Sequence, residues 1–241
     1  PMLDALNGLF ERIGRLLDSE RRFTADAAHE LRTPIAAIRA QAQVALAEAD
    51  GERRRQALQA TLQGCDRATR LVEQLLTLSR LESSAAPALV PLDLSALVRS
   101  VVAELAPQAL HKQQSIEVEA EAAHVVDGEP TLLAVLVRNL VDNAIRYSPA
   151  GARVLVEVGG DAQAVWLRVE DSGPGLSDVD RQRLGERFFR VLGSEQQGSG
   201  LGWSIVQRIA QVHAATWSTQ PSARLGGLSV QLRWRAAARP R

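Results

Sequence analysis

The apolar periodicity of the first 82 residues constrains this chain more than any other feature. Residues 1 to about 48 read as one long helix, or two joined in register. Asp50-Gly51 interrupts the pattern, residues 52–82 read as a second helix, and Ser83-Ser84-Ala85-Ala86-Pro87 ends it. The second helix carries two apolar stripes, Leu58, Leu62, Cys65, Val72 and Leu76 on one line and Ala68, Leu71, Leu75 and Leu78 on the other. A two-helix hairpin alone leaves so wide a face uncovered. The expected assembly is therefore an antiparallel hairpin that forms a four-helix bundle as a homodimer. Leu3, Leu6, Phe10, Ile13 and Leu17 alternate spacings of three and four with no cap before them. That seam suggests a longer helix cut upstream of Pro1.

Residues 83–92 form a Pro/Ala/Ser linker, after which the pattern changes. Leu94–Leu110 reads as a helix, Ser115–Glu121 as a strand, and Pro130–Tyr147 as an amphipathic helix. Arg153–Val158 and Ala164–Glu170 read as a hairpin turning at Gly159-Gly160-Asp161. Residues 174–199 are polar, glycine-punctuated and aperiodic, which suggests a mobile loop. Gly202–His213 reads as a helix, and Thr216–Thr219 and Leu228–Trp234 as the last strands. Helices followed by an antiparallel sheet backed by helices make an α hairpin followed by an α+β sandwich.

Composition removes several function classes. The formal net charge is zero, so no basic field favours nucleic acid, and Arg233, Arg235, Arg239 and Arg241 read as a solvated tail. Lys112 is the only lysine and no Gly-Lys-Ser/Thr run exists, which excludes a P-loop. A single cysteine, Cys65, excludes an intrachain disulfide and suits a reducing compartment. Four scattered histidines give no metal-ligand spacing, and His29-Glu30 is no zinc-protease helix because position 33 is threonine. No apolar run is long enough to cross a membrane, so this stretch is expected to make no membrane contact.

His29 stands in Phe23-Thr24-Ala25-Asp26-Ala27-Ala28-His29-Glu30-Leu31-Arg32-Thr33-Pro34-Ile35. Leu31, Ile35 and Ile38 form the apolar line of that helix. At roughly 100° per residue His29 falls opposite Leu31 and Ile38, facing solvent. An exposed neutral imidazole is a competent nucleophile. Glu30 is placed to accept the proton from its second ring nitrogen. Thr33 lies one turn on, on the same face, where its hydroxyl is able to orient a water. Pro34 removes a helical hydrogen bond beside the site.

Three further signals lie downstream. Asn139 and Asn143 share a helix face among Leu136, Val137, Leu140, Val141 and Ile145. They read either as surface asparagines or as amides that coordinate Mg²⁺ and phosphate. Asp171 opens Asp171-Ser172-Gly173-Pro174-Gly175, either an ordinary turn or a carboxylate that accepts from an adenine amino group, with Gly173 and Gly175 allowing close backbone approach. Gly198-Ser199-Gly200-Leu201-Gly202 starts a helix whose N–H groups suit phosphate oxygens. Each signal is weak alone; their order and spacing together describe one nucleotide pocket.

With these motifs in place, the chain resembles the cytoplasmic part of a bacterial two-component sensor histidine kinase, closest in wording to the QseC and PmrB type. Phe23 to Ile35 is similar to the phospho-acceptor motif, Leu136 to Ser148 to the N-box, Asp171 to Leu176 and Gly198 to Val206 to the two glycine boxes, and Arg187 to Arg190 to the F-box. The resemblance implies the end of a HAMP signalling helix at 1–19, a dimerisation and histidine phosphotransfer domain at 20–84, a linker at 85–92 and a Bergerat (GHKL) type ATP-binding domain at 93–241. It implies ATP and Mg²⁺ as cofactors, with Mg²⁺ held by Asn143 and Asn139 beside it. Arg146 would approach the phosphates, Tyr147 stack on adenine, and Asp171 read it. Residues 174–199 would be a lid over the nucleotide, anchored by Phe188 and Phe189 with Arg190 beside them. His29 would be phosphorylated, Glu30 its acid/base partner and Thr33 a phosphatase hydroxyl. The implied partners are a second copy of the chain and the receiver domain of a response regulator. The implied setting is the cytoplasmic portion of a bacterial inner-membrane protein. Two other readings remain: an ATPase of the same pocket type that forms no phosphohistidine, and a dimeric scaffold without catalysis. The sequence departs from the family at Ala214-Ala215, where Gly-Gly often follows the histidine, and at Trp203, where a smaller residue is usual.

Overall fold

A computed structural model describes residues 2–83, 87–191 and 199–235. Its contacts divide the chain into two units, Pro1–Leu76 and Thr77–Arg241. The first unit is built from helix α1, Met2–Ala47, and most of helix α2, Gly51–Ser83. The break falls at Asp50, whose carboxylate accepts from the Arg53 N–H at 2.8 Å and so caps α2. The two stripes of α2 separate as the pattern requires. Leu71 and Leu78 are buried and Ala68 and Leu75 half-buried, whereas Leu58, Leu62, Cys65, Val72 and Leu76 are exposed. Gly64 lies under Ile38, and any side chain there would collide with Ile38 Cγ1. Ile35 departs from expectation. It is 56% exposed while Leu31 and Ile38 are half-buried, because the Gly64 contact takes Ile38, roughly 60° round the helix. Leu3 and Leu17 of the N-terminal seam lie outside the described side chains; Leu6, Phe10 and Ile13 are exposed.

The second unit is a sheet with helices on it. Strand β1 is Val90–Asp93, helix α3 Leu94–His111, β2 Ser115–Glu119, β3 Val125–Gly128, α4 Pro130–Tyr147, β4 Arg153–Gly160 and β5 Ala164–Asp171. Helix α5 is Asp178–Gln182, α6 Gly202–Val212, β6 Thr216–Pro221 and β7 Leu228–Arg235. Asp93 caps α3 through the Ser95 and Ala96 N–H groups. Glu129 caps α4 ahead of Pro130, which needs no donor at that position. The core lies between helices and sheet, with α4 packed on β4, β5 and α6, and its fully or nearly fully buried residues include Leu136, Leu140, Ile205, Ile209, Val156, Leu167 and Leu232.

Four features differ from the sequence-based expectation. The main sheet, in the order β2-β4-β5-β7-β6, is mixed rather than antiparallel, because β2 runs parallel to β4. The connection between those strands includes α4, and a helical crossover is what allows a parallel pair. The stretch read as linker ends in β1, which pairs antiparallel with β3 in a separate two-stranded sheet. The Gly159-Gly160 pair extends β4 instead of turning. Gly159 leaves room for the Trp166 indole, and the turn is closed by Asp161, which accepts from Gln163 and Ala164. Finally, the expected loop at 174–199 contains α5, capped by Ser177; residues 192–198 lie outside the described set.

At the end of α6, His213 is buried and donates from Nδ1 to the Ile209 carbonyl, while its Nε2 accepts from the Glu129 N–H at 3.0 Å. Burial lowers the basicity of this imidazole. Ala214 then takes φ 49°, a left-handed conformation suited to glycine. The turn keeps its geometry at a cost of about 1 kcal/mol. Ala214→Gly is expected to recover it and raise the melting temperature by roughly 2–4 °C. Thermal denaturation checks this; an unchanged or lower midpoint would mean that the alanine carries no strain.

Candidate functional site

Between α4, the sheet and the segment after β5 lies a cavity of about 360 Å³. Leu140, Asn143, Ala144 and Tyr147 line it from α4, Val169 and Asp171 from β5, and Leu228 and Val230 from β7. Pro174, Gly175, Leu176, Leu184, Phe189, Arg190 and Val191 come from the segment that follows β5, and Trp203 from α6. The walls are mostly apolar with a few convergent polar groups, the character of a small-molecule site.

Asp171 is the anionic group of this cavity. Its Oδ1 accepts from the Gly173 N–H at 2.8 Å and from the Leu228 N–H at 3.2 Å. Burial pushes the carboxyl above its ordinary range; those two N–H groups pull it down, and the Glu170 carboxylate pushes it up again. Gly227 donates to the Asp171 carbonyl at 3.1 Å and packs so closely that a side chain there would collide with Oδ1.

The asparagine pair divides in the structure. Asn143 lines the cavity, and its Nδ2 is buried with no hydrogen-bond partner among the described residues. Asn139 is one turn back, outside the cavity wall, and donates to the Val135 carbonyl at 2.7 Å. Gly202 covers both amides, and any side chain on it would stand 3.1 Å from Asn139 Oδ1. Helix α6 therefore begins against Asn139 and Asn143, and no side chain caps its N-terminus.

The remaining candidates are placed unevenly. Tyr147 reaches the cavity and is 38% exposed. Arg146 does not line it; its guanidinium bonds Asp142 at 2.6 Å. Phe189 lines the cavity with the Arg183 guanidinium 4.2 Å from its ring centroid, an arrangement that fixes the ring. Phe188 does not line the cavity; its backbone, at φ 60°, lies against Gly200, whose own φ of 70° and contact with that backbone admit only glycine. Ser199 accepts from the Leu201 N–H, Leu201 is fully buried, and Gly198 lies outside the described residues. Gly173 meets the Asp171 carboxylate, and Gly175 lines the cavity.

Sequence reasoning passed over the apolar wall of Leu140, Ala144, Val169 and Val230. Its signal was the same helical and strand periodicity that marks core. Trp203, the family departure, lines the cavity and stacks on Trp217 with ring centroids 5.9 Å apart.

The first unit carries the other candidates. His29 is exposed, as its position opposite Leu31 and Ile38 requires. Thr33 is exposed too, and its hydroxyl donates to the His29 carbonyl at 3.5 Å, which ties the two positions on one face. Glu30 is half-buried beside them. No group of His, Cys, Asp and Glu able to hold a metal exists among the described residues, and no described helix is long and apolar enough to cross a membrane.

Comparison with known proteins places both units. Residues 19–84 match the His Kinase A (phospho-acceptor) domain. Residues 128–238 match the histidine kinase-, DNA gyrase B-, and HSP90-like ATPase. Sensor protein QseC of Salmonella typhi is 45% identical over 237 residues, covering 97% of this chain and 52% of that protein. Sensor protein kinase PmrB of Pseudomonas aeruginosa is 40% identical over 233 residues, covering 96% of this chain and 49% of that one. The chain thus spans about half the length of these relatives. Among solved structures, the Acinetobacter baumannii histidine kinase AdeS shares the fold with a TM-score of 0.69 at 24% identity, over 87% of this chain and 98% of that one. A mycobacterial sensor histidine kinase, MprB, aligns with a TM-score of 0.54 at 26% identity, over 61% of this chain and 98% of that one. A helical phospho-acceptor region followed by a mixed α/β ATPase unit, with this identity along nearly the whole chain, makes the chain a member of the sensor histidine kinase family.

Proposed function

We propose that the chain binds ATP in the α4 cavity, phosphorylates His29 with it, and passes the phosphoryl group to an aspartate on the receiver domain of a response regulator. The observation that carries this reading is the pairing, in one apolar cavity, of the Asp171 carboxylate with the buried Asn143 Nδ2, which has no hydrogen-bond partner among the described residues. An adenine amino group is a donor for Asp171, whose two backbone bonds both fall on Oδ1. Tyr147 offers a ring for the base, and the uncapped start of α6 offers N–H groups for the phosphates. The Asn143 amide fits a magnesium–phosphate ligand; a half-turn of the amide presents its oxygen in place of the orphaned nitrogen. Mg²⁺, when bound, would neutralise charge on the phosphates being cleaved.

In the proposed step one ring nitrogen of His29 attacks the γ-phosphorus, the bond to the ADP oxygen breaks, and Glu30 takes the proton from the other ring nitrogen. The bare Leu58-Leu62-Cys65-Val72-Leu76 stripe supports a homodimer closing a four-helix bundle, with the attacked histidine in the same or the partner chain. Functionally the proposed bounds are a signalling-helix end at 1–19, the phosphotransfer domain at 20–84, a linker at 85–92 and the ATP-binding domain at 93–241. The whole protein would be anchored in the bacterial inner membrane, with this portion cytoplasmic. Incubation with ATP labelled at the γ-phosphate is expected to leave acid-labile, alkali-stable label on the chain. Hydrolysis with no label on the chain would identify an ATPase instead, and absence of nucleotide binding a scaffold.

Phosphatase activity towards the regulator is assigned to Thr33, whose exposed hydroxyl shares a face with His29 and keeps its lone pairs for a water. Thr33→Ala is expected to slow dephosphorylation of the phosphorylated regulator by about tenfold or more, with self-phosphorylation retained. A wild-type rate in a regulator dephosphorylation assay removes the assignment.

A further inference from the structure

Lys112, the chain's only lysine, is the C-cap residue of α3 and sits 31 positions from the cavity residue Asn143, yet it fastens the end of α4. Its Nζ donates to three carbonyls at once, Ile145 at 2.8 Å, Arg146 at 3.0 Å and Ser148 at 3.0 Å. The last carbonyls of a helix have no partners within the helix and must find them elsewhere. Here Ala144 is satisfied by the Ser148 N–H, and Lys112 takes Ile145 and Arg146. Gln114, 2% exposed, adds bonds from Nε2 to Ile145, Ser148 and Pro149. The cavity residues Asn143, Ala144 and Tyr147 all lie within the turn so bound.

The residue type suits the task. An ammonium is a compact point with three donors, matching three carbonyls that converge on one place; a guanidinium is a planar fork that serves two acceptors side by side. Elsewhere this chain answers its need for positive charge with arginine. Burial and the neighbouring Arg146 hold the Lys112 amine below its ordinary value, whereas Asp142 raises it.

We infer that Lys112 is a positioning residue for the nucleotide: by tying the last turn of α4 it holds Tyr147 and Asn143 at the cavity wall. The inference rests on the proposed ATP site, and the test separates the two. Affinity for a non-hydrolysable ATP analogue with Mg²⁺ is measured by calorimetry at 20 °C on wild type and Lys112→Met, beside their melting curves without nucleotide. Failure of the wild type to bind overturns the nucleotide reading and this inference with it. If the wild type binds, Lys112→Met is expected to bind about tenfold more weakly at a temperature where it is fully folded, with faster amide exchange at Tyr147 and Ser148. A merely structural lysine would lower the melting point and leave affinity within twofold; that result overturns the inference alone. Should Lys112→Met not fold, Lys112→Arg takes its place, since it keeps charge and stem but lacks the convergent donors. Weakened binding by the folded arginine variant supports the positioning role, and wild-type affinity overturns it.

Discussion

His29→Ala is expected to lower phosphoryl incorporation from ATP by on the order of 10³ or more while nucleotide affinity stays at the wild-type value. The separation of effects follows from where the residue stands. His29 is exposed on α1 in the first unit, and the cavity proposed to hold the nucleotide is lined wholly by residues of the second. Alanine is also a better helix former than histidine, so the variant loses no fold. The measurement is acid-labile label per chain, paired with analogue binding on the same preparations. Label persisting at the wild-type level would move the nucleophile elsewhere. His111 would then be the place to look, because it is the other exposed histidine, whereas His213 is buried and bonded at both nitrogens. Loss of both label and nucleotide binding would show that the substitution acts through the fold.

The helical half was legible in the sequence because its information is local. One period of 3.6 residues places His29 opposite Leu31 and Ile38, and two stripes on α2 announce two different neighbours. Gly200 was legible for a different reason: its φ of 70° against the Phe188 backbone admits only glycine, and at Gly202 a side chain would stand 3.1 Å from Asn139 Oδ1. What escaped depends on distant partners. Strands β1 and β3 are four residues each and find one another across the whole of α3 and β2, so neither has a periodicity long enough to read. The parallel pairing of β2 with β4 is a property of the crossover and not of either strand. Gly159-Gly160 reads as a turn until Trp166 is seen to need the space. In the sequence Lys112 says only that no P-loop lysine exists, since nothing local tells that its ammonium gathers carbonyls from the end and C-cap of α4.

Asp171→Asn is expected to weaken ATP binding by about 100-fold without lowering stability. The asparagine oxygen still accepts from Gly173 and Leu228, so the turn after β5 keeps both bonds. Its amide nitrogen then occupies the place of Oδ2 and meets the adenine amino group as donor against donor, so the buried pair loses its bond and both groups pay for desolvation. Stability responds in the opposite sense. Burial raises the folded pKa of Asp171 above its ordinary value, with repulsion from Glu170 in the same direction. The stabilisation linked to this group is therefore complete below the unfolded pKa and is lost as pH rises through the folded one. At neutral pH the ionised carboxylate is a cost that the fold carries, and asparagine removes it. The variant is expected to melt at or above the wild-type temperature at pH 7, and the difference is expected to shrink as the pH is lowered and the wild-type carboxyl takes up its proton. In the wild type, ATP affinity is expected to fall over that same acidic range, because the protonated carboxyl no longer presents two accepting oxygens. Calorimetric titration and melting curves against pH measure both effects on one sample. Unchanged affinity in the variant would remove Asp171 from base recognition, and a lower melting point at pH 7 would show that the buried charge stabilises the fold and does not tax it.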